Sequence, residues 1–285
     1  MKGILLAAGK GTRLYPMTLP VCKPLLPVYD KPLIYYPLAA LLQAGIRDIL
    51  IIIPPGEEAL FTRLLGDGSR LGVHITYAVQ QVPRGIADAF LVGEDFIGDD
   101  SVCLVLGDNI FHEQDLVGKL AKARTHATGA TVFGYYVDDP RAFGVVEFDE
   151  NGRAISIEEK PRFPKSNYIV PGLYFYDNRV VSIAKTLHPS ARGELEITDV
   201  NNRYLQMGEL SVVTLGRDFL WLDAGTADNL LAASQAVKRA QEQSGRYIAC
   251  LEEIAYRSGF ITVEQVHEQG LEQSKTLYGQ YLMCI

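Results

Sequence analysis

The chain reads as a doubly wound α/β protein with a β-rich insertion and a helical C-terminal region. Three observations predict this. Unbroken apolar runs of strand length recur through the first half: GILLAA at 3–8, DILIII at 48–53, VCLVL at 102–106 and TVFGYYV at 131–137. Segments with helical apolar spacing lie between them. After about residue 135 the texture changes, and β-branched and aromatic residues gather around turn signals. Strands without polar alternation are buried on both faces, which implies a mainly parallel sheet covered by helices.

Each element has its own signal. PLAALLQAG at 37–45 predicts a helix closing on Gly45, where glycine takes up the turn that ends it. GIADAFLVGEDF at 85–96 and DLVGKLAKARTHA at 115–127 carry helical periodicity. GVVEFDENGRAISIEEKP at 144–161 predicts two strands around Asn151–Gly152, a strong hairpin pair. NYIVPGLYFYD at 167–177 predicts one further strand that returns to the sheet, and from Ala227 onward the chain reads as helical. In SARGELEITD the acids Glu194, Glu196 and Asp199 suggest a metal site at first sight. They fit the start of a helix better, where negative charge complements the dipole.

Composition narrows the function. The chain has 285 residues, enough for one large domain or a domain with a small addition. Its formal charge of −7 argues against general nucleic-acid or anionic-membrane binding. Anionic substrates remain open if positive charge is concentrated in one site. Cys22, Cys103, Cys250 and Cys284 form no CxxC pair and no disulfide framework, and Cys103 sits in an apolar run as a core residue. His112, His126 and His188 lack zinc or triad spacing. The apolar run Ile4 to Ala8 is too short for a signal peptide, and no stretch is long enough to span a membrane. A soluble cytoplasmic protein is expected.

The most informative stretch is AAGKGTRLYPMT at 7–18, directly after the first apolar run. Glycine is costly to order, so two of them here imply a close approach to the backbone. The dinucleotide fingerprint fails because Leu14 stands at its third glycine, which disfavours a dehydrogenase. The P-loop fails because Lys10 is followed by Gly11. The ingredients of a phosphate site remain: Gly9 and Gly11 open the backbone N–H groups, and Arg13 supplies a donor fork. Lys23 and Lys31 follow.

GTRLYPMT…CKPLLPVYDKP resembles the signature of the sugar-nucleotide pyrophosphorylases, nucleotidyltransferases that make NDP-sugars. LLGDGS, LGDNIF, FGVVEFD, EEKP, KSNY, GLYFYDN, SARGELEITD, WLDAGT and EEIAYRSGFI extend the likeness over nearly the whole chain. So many segments in order are far more specific than one motif. The chain departs from common family residues at Ala8, Lys10, Pro24 and Ala224. The resemblance implies a Rossmann-like nucleotidyltransferase fold with a catalytic core over 1–226. Its nucleotide half would end near 135 and its sugar part would follow over 136–226. Residues 227–285 would serve oligomerisation and regulation.

The implied reaction joins dTTP, with UTP as the alternative, to glucose 1-phosphate and releases dTDP-glucose and pyrophosphate. By resemblance, Leu6, Ala8, Gly9, Gly11, Thr12 and Arg13 hold the nucleotide with Gln80, Pro83, Gly85 and Asp108. Gln80 would read the base, since an amide both donates and accepts. Gly85 would open the following helix and lie against the base. Arg13, Lys23, Lys160, Asp108 and Asp223 would carry catalysis, and Asp108 and Asp223 would bind Mg²⁺. Gly144, Glu159, Lys160, Gly172 and Tyr174 would take the sugar phosphate. The resemblance further implies a homotetramer, and feedback by a dTDP-deoxysugar such as the rhamnose derivative around Glu253, Ile254 and Arg257. A non-catalytic sensor of the same fold is the competing reading. It predicts damage to the charged residues, and all five are present.

Overall fold

The computed structural model describes every residue except 114, 126, 127 and 217. His126 therefore lies outside the described residues. A ten-stranded mixed sheet organises the molecule. From one edge its strands are Ala154–Glu159, Gly144–Phe148, Tyr168–Ile169, Ala130–Tyr136, Leu173–Tyr176, Val102–Leu106, Lys2–Leu6, Asp48–Ile53 and His74–Val79. Leu210–Thr214 pairs in parallel with Ala130–Tyr136. Lys2–Leu6 lies between Val102–Leu106 and Asp48–Ile53, parallel to both. The apolar runs at 48–53 and 102–106 are strands over those same residues. They are buried on both faces, as their lack of alternation requires.

The β-rich part extends this sheet. Gly144–Phe148 and Ala154–Glu159 pair antiparallel, and Gly152 adopts a φ of 75° in the turn between them. The Asp149 carboxylate accepts from the backbone N–H groups of Asn151 and Arg153, which fixes that turn. Leu173–Tyr176 then returns antiparallel between Val102–Leu106 and Ala130–Tyr136.

Local departures from the expected elements have local causes. The single strand expected over 167–177 is two, Tyr168–Ile169 and Leu173–Tyr176, broken at Pro171–Gly172. Pro171 has no N–H for a ladder, and a Cβ on Gly172 would lie 2.7 Å from the Leu106 side chain. The helix expected over 85–96 is Asp88–Val92 followed by Glu94–Ile97. Gly93 separates them, packed where a Cβ would meet Ile4 at 2.9 Å. Helix Ala227–Ser244 starts where expected, and the Thr226 hydroxyl caps it by accepting from Asn229 N–H. Its Leu230, Ala233 and Val237 pack in one apolar cluster with Leu14, Leu26, Val28, Tyr36 and Ile110. The C-terminal region thus sits directly on the opening loop. Among the described residues no helix is long and apolar enough to cross a membrane.

Candidate active site

The glycine-rich turn leaves the sheet at the end of Lys2–Leu6. Gly11 takes a left-handed φ of 61°, and a Cβ there would lie 3.0 Å from Lys23 Cβ. Glycine therefore lets the loop close on the lysine segment. The Thr18 hydroxyl donates to the Gly11 carbonyl at 2.8 Å. Thr12–Leu14 forms a single 3₁₀ turn that buries Leu14 and leaves Thr12 and Arg13 exposed. Apart from its chain neighbours, no atom of the described residues lies within 4 Å of where a Gly9 side chain would begin.

Two distant aspartates meet because of a short ladder. Asn109–His112 pairs antiparallel with Leu220–Asp223, with Asn109 opposite Asp223. Asp108 thereby falls beside the second strand, and its carbonyl accepts from Ala224 N–H at 3.1 Å. The Lys23 ammonium sits between the two carboxylates, 2.6 Å from Asp108 Oδ2 and 4.0 Å from Asp223 Oδ1. Burial pushes the Asp223 carboxyl up to about 6. The Asp108 charge adds to that rise, while Lys23 and Arg13 oppose it. A Cβ on Gly225 would lie 2.7 Å from Asp223 Oδ2 and 3.1 Å from Arg13 Nη2. The glycine of DAGT thus leaves room for both charged groups.

Asn109, missed in the sequence reading, holds this arrangement together. Its amide nitrogen donates to Asp108 Oδ1 at 2.8 Å. Its Oδ1 accepts from Trp221 Nε1 at 2.6 Å and from Gly172 N–H at 3.3 Å. The only signal available was its place next to Asp108.

The opposite wall comes from the β-rich part. Lys160 has a φ of 45°, rare for a residue with a side chain, and its N–H donates to the Phe143 carbonyl at 3.0 Å. Its ammonium is 3.6 Å from Glu159 Oε1. The Thr198 hydroxyl donates to Glu159 Oε2 at 2.5 Å. A Cβ on Gly144 would come within 3.0 Å of that hydroxyl. Thr198 belongs to helix Ile197–Gln206, which Glu196 precedes and whose first turn holds Asp199, as expected of these acids. Glu196 pairs with Arg192 at 2.8 Å. Tyr174 is both core and floor: it is 3% exposed and stacks on Tyr176.

These walls enclose a cleft of about 270 Å³. Arg13, Asp108, Gly144, Glu159, Lys160, Gly172, Tyr174 and Asp223 all line it, together with the unanticipated Asn109, Trp221, Thr198 and Asn201. Leu6, Ala8, Gly9, Gly11 and Thr12 form the strand end and turn that carry Arg13 without lining the cleft themselves. Pro83 does not line it either.

Two expectations need correction, those for Gly85 and Lys31. Gly85 does not open the helix, which starts at Asp88. Its φ is 110°, and a Cβ there would lie 2.4 Å from the Leu195 carbonyl oxygen, so that face is filled by backbone. The nearly buried Gln80 lies outside the cleft lining and donates to Asp88 Oδ2 at 2.8 Å. Lys31 is not a free phosphate-side cation. It is buried, paired with Asp30 at 2.6 Å, donates to Gln241 and lies 5.3 Å from the Tyr247 ring centroid. Burial pulls its ammonium below the usual lysine range. Glu253, Ile254 and Arg257 lie on helix Leu251–Arg257, outside the cleft lining. The Glu253 carboxylate there accepts from Arg257 Nε at 2.7 Å and from the Tyr281 hydroxyl.

The comparisons agree with this architecture. The family model for nucleotidyl transferases matches residues 2–240. The glucose-1-phosphate thymidylyltransferase of Neisseria meningitidis serogroup A is 59% identical over 283 residues, covering 99% of this chain and 98% of its own. That of Mycolicibacterium smegmatis is 54% identical with the same coverage. A crystal structure of a glucose-1-phosphate thymidylyltransferase from Bacillus anthracis, in complex with sucrose, superposes with a TM-score of 0.77. It is 45% identical and covers 83% of this chain and 94% of its own. A UDP-glucose pyrophosphorylase bound to UDP-glucose shares the fold at a TM-score of 0.73 and 24% identity, covering 84% of this chain and 98% of its own. With the charged walls of the cleft in place and relatives aligned from end to end, the chain belongs to the nucleotidyl transferase family.

Proposed function

We propose that the protein transfers a thymidylyl group from dTTP to α-D-glucose 1-phosphate, yielding dTDP-glucose and pyrophosphate. One observation carries the reading: a single cleft is lined by Arg13, Asp108 and Asp223, with Lys23 paired to both aspartates, and by Glu159 and Lys160. Two polyanions can meet there only if their repulsion is neutralised from both sides. The names of the near-full-length relatives supply the substrates.

The sugar phosphate oxygen attacks the α-phosphorus, a new P–O bond forms, and the bond to the bridging oxygen of the leaving pyrophosphate breaks. Positioning and fixed charge suffice, with no covalent enzyme intermediate. Arg13 takes the β- and γ-phosphates and Lys23 the α-phosphate. Lys160 holds the sugar phosphate as a compact point charge. Glu159, oriented by Thr198, accepts from sugar hydroxyls. We assign the base contact to Gln80, whose orientation is set by its bond to Asp88.

Asp108 and Asp223 offer only hard carboxylate oxygens, and among the described residues no cluster of three His, Cys, Asp or Glu side chains forms a separate metal cage. Such a pair fits Mg²⁺, which binds through one or two carboxylates plus phosphate oxygens and water. The bound cation would neutralise phosphate charge and orient the α-phosphate. A cytoplasmic location fits the four free thiols. We also retain a homotetramer with a feedback site near Glu253, Ile254 and Arg257.

Pyrophosphate release tests the reading. With glucose 1-phosphate and Mg²⁺, dTTP should turn over, and UTP should remain a slower, measurable substrate. A 5-methyl group in an apolar pocket is worth about 1–3 kcal/mol of discrimination. Strict use of ATP, CTP or GTP would overturn the base assignment. No release with any nucleotide would favour the sensor.

A further inference from the structure

Asn201 sits on the same face of helix Ile197–Gln206 as Ile197 and Thr198, and all three line the cleft. It has no exposed surface. Its Oδ1 accepts from the Tyr176 hydroxyl at 2.5 Å. Its Nδ2 is buried and has no hydrogen-bond partner among the described residues. An unmade amide donor costs more than the average hydrogen bond gains, so a native orphan of this kind calls for an explanation. The Thr198 hydroxyl on the same helix face donates to Glu159 and is not bonded to this amide.

We infer that Asn201 determines sugar specificity, its Nδ2 donating to one hydroxyl of the sugar ring, directly or through one trapped water. The inference rests on the proposed sugar 1-phosphate reading of this cleft. The chemistry points to a hydroxyl rather than the phosphate. The donor is neutral, and it belongs to the helix whose Thr198 orients Glu159, while the sugar phosphate has Lys160. The Tyr176 hydroxyl donates to the Oδ1 half, which leaves Nδ2 as the spare half.

The test uses Asn201→Asp, which keeps an acceptor for Tyr176 and removes the donor, and Asn201→Leu, which removes both. Thermal melting verifies folding of each. Turnover with dTTP is measured for glucose 1-phosphate and for analogues each lacking one ring hydroxyl. The wild type should disfavour one particular deoxy analogue by roughly tenfold or more. At least one folded variant should lose about that factor on glucose 1-phosphate and little on that analogue, with KM for dTTP unchanged. A uniform loss across all analogues would mean a structural role and overturns the inference, as does unchanged discrimination. If neither variant folds, wild-type use of every deoxy analogue at the same rate as glucose 1-phosphate overturns it. Wild-type protein that does not use glucose 1-phosphate at all overturns the functional reading and this inference together.

Discussion

Asp223 carries the largest conflict between stability and function in the cleft. Its proton is held more tightly in the folded protein, up to about pH 6, than in an unfolded chain. Between about pH 4 and 6 the folded state therefore binds more protons, and this group's contribution to stability falls as pH rises through that window. It stays low at neutral pH, where the buried carboxylate is ionised. Asp223→Asn should raise the melting temperature of the ligand-free protein at pH 7.5 but not at pH 4.5. The gain should be on the order of 1–3 kcal/mol, and matched melting curves read it. The same variant should lose ~10²-fold or more in turnover, because a carboxylate that would hold Mg²⁺ at the reacting phosphate is lost. Lys160→Ala should raise KM for glucose 1-phosphate far more than KM for dTTP. Lys160→Arg should not restore it, because a planar fork does not replace a point charge in a fitted position. An effect confined to dTTP would place Lys160 on the nucleotide side.

At the level of elements, the cleft depends on where one segment leans on another. Gly85 is the clearest case, with the Leu195 backbone filling the space beside it. Leu195 N–H donates to the Arg84 carbonyl at 2.6 Å, and Ala87 N–H donates to the Leu195 carbonyl at 3.2 Å. This clasp lies two residues before helix Ile197–Gln206, which carries Thr198 and Asn201. Gly85→Ala meets both a left-handed φ and a backbone clash, and should cost about 3 kcal/mol or more. It should also raise KM for glucose 1-phosphate, although Gly85 was expected on the nucleotide side. Thermal melting with kinetics on both substrates checks this. The ladder between Asn109–His112 and Leu220–Asp223 works similarly. It was not visible in sequence because each strand has four residues and each ends on a polar residue. Neither carries a signal for which strand it pairs with.

For the whole molecule, the helical C-terminal region is part of the core. Helix Ala227–Ser244 buries Leu14, Val28, Tyr36 and Ile110, and Lys31 and Asp30 both bond to Gln241. A chain ending at residue 226 should expose that cluster and strand a buried lysine, and should show no cooperative melting transition. If it melts cooperatively and turns over, the catalytic core is separable. Size measurement by light scattering on the full chain tests the homotetramer.

The sequence by itself determined the central strands and the two charged walls. Val102–Leu106 and Asp48–Ile53 are legible because strands buried on both faces carry unbroken apolar runs, and that pattern survives any tertiary context. Arg13, Lys23, Asp108, Glu159, Lys160 and Asp223 are legible because the segments around them resemble a known family in order. Tertiary structure decided the rest. Lys31 looks like Lys23 in sequence, yet one is clamped by Asp30 and Gln241 and the other bridges two aspartates. Which lysine is held away from the aspartates depends on helix Ala227–Ser244, some two hundred residues away. Asn201 has no motif at all. Its spare donor exists only because Tyr176, from a strand of the central sheet, occupies the other half of its amide. Local sequence fixes what a segment can form. The partner that satisfies a buried polar group comes from elsewhere in the chain, and only the folded packing decides which one arrives.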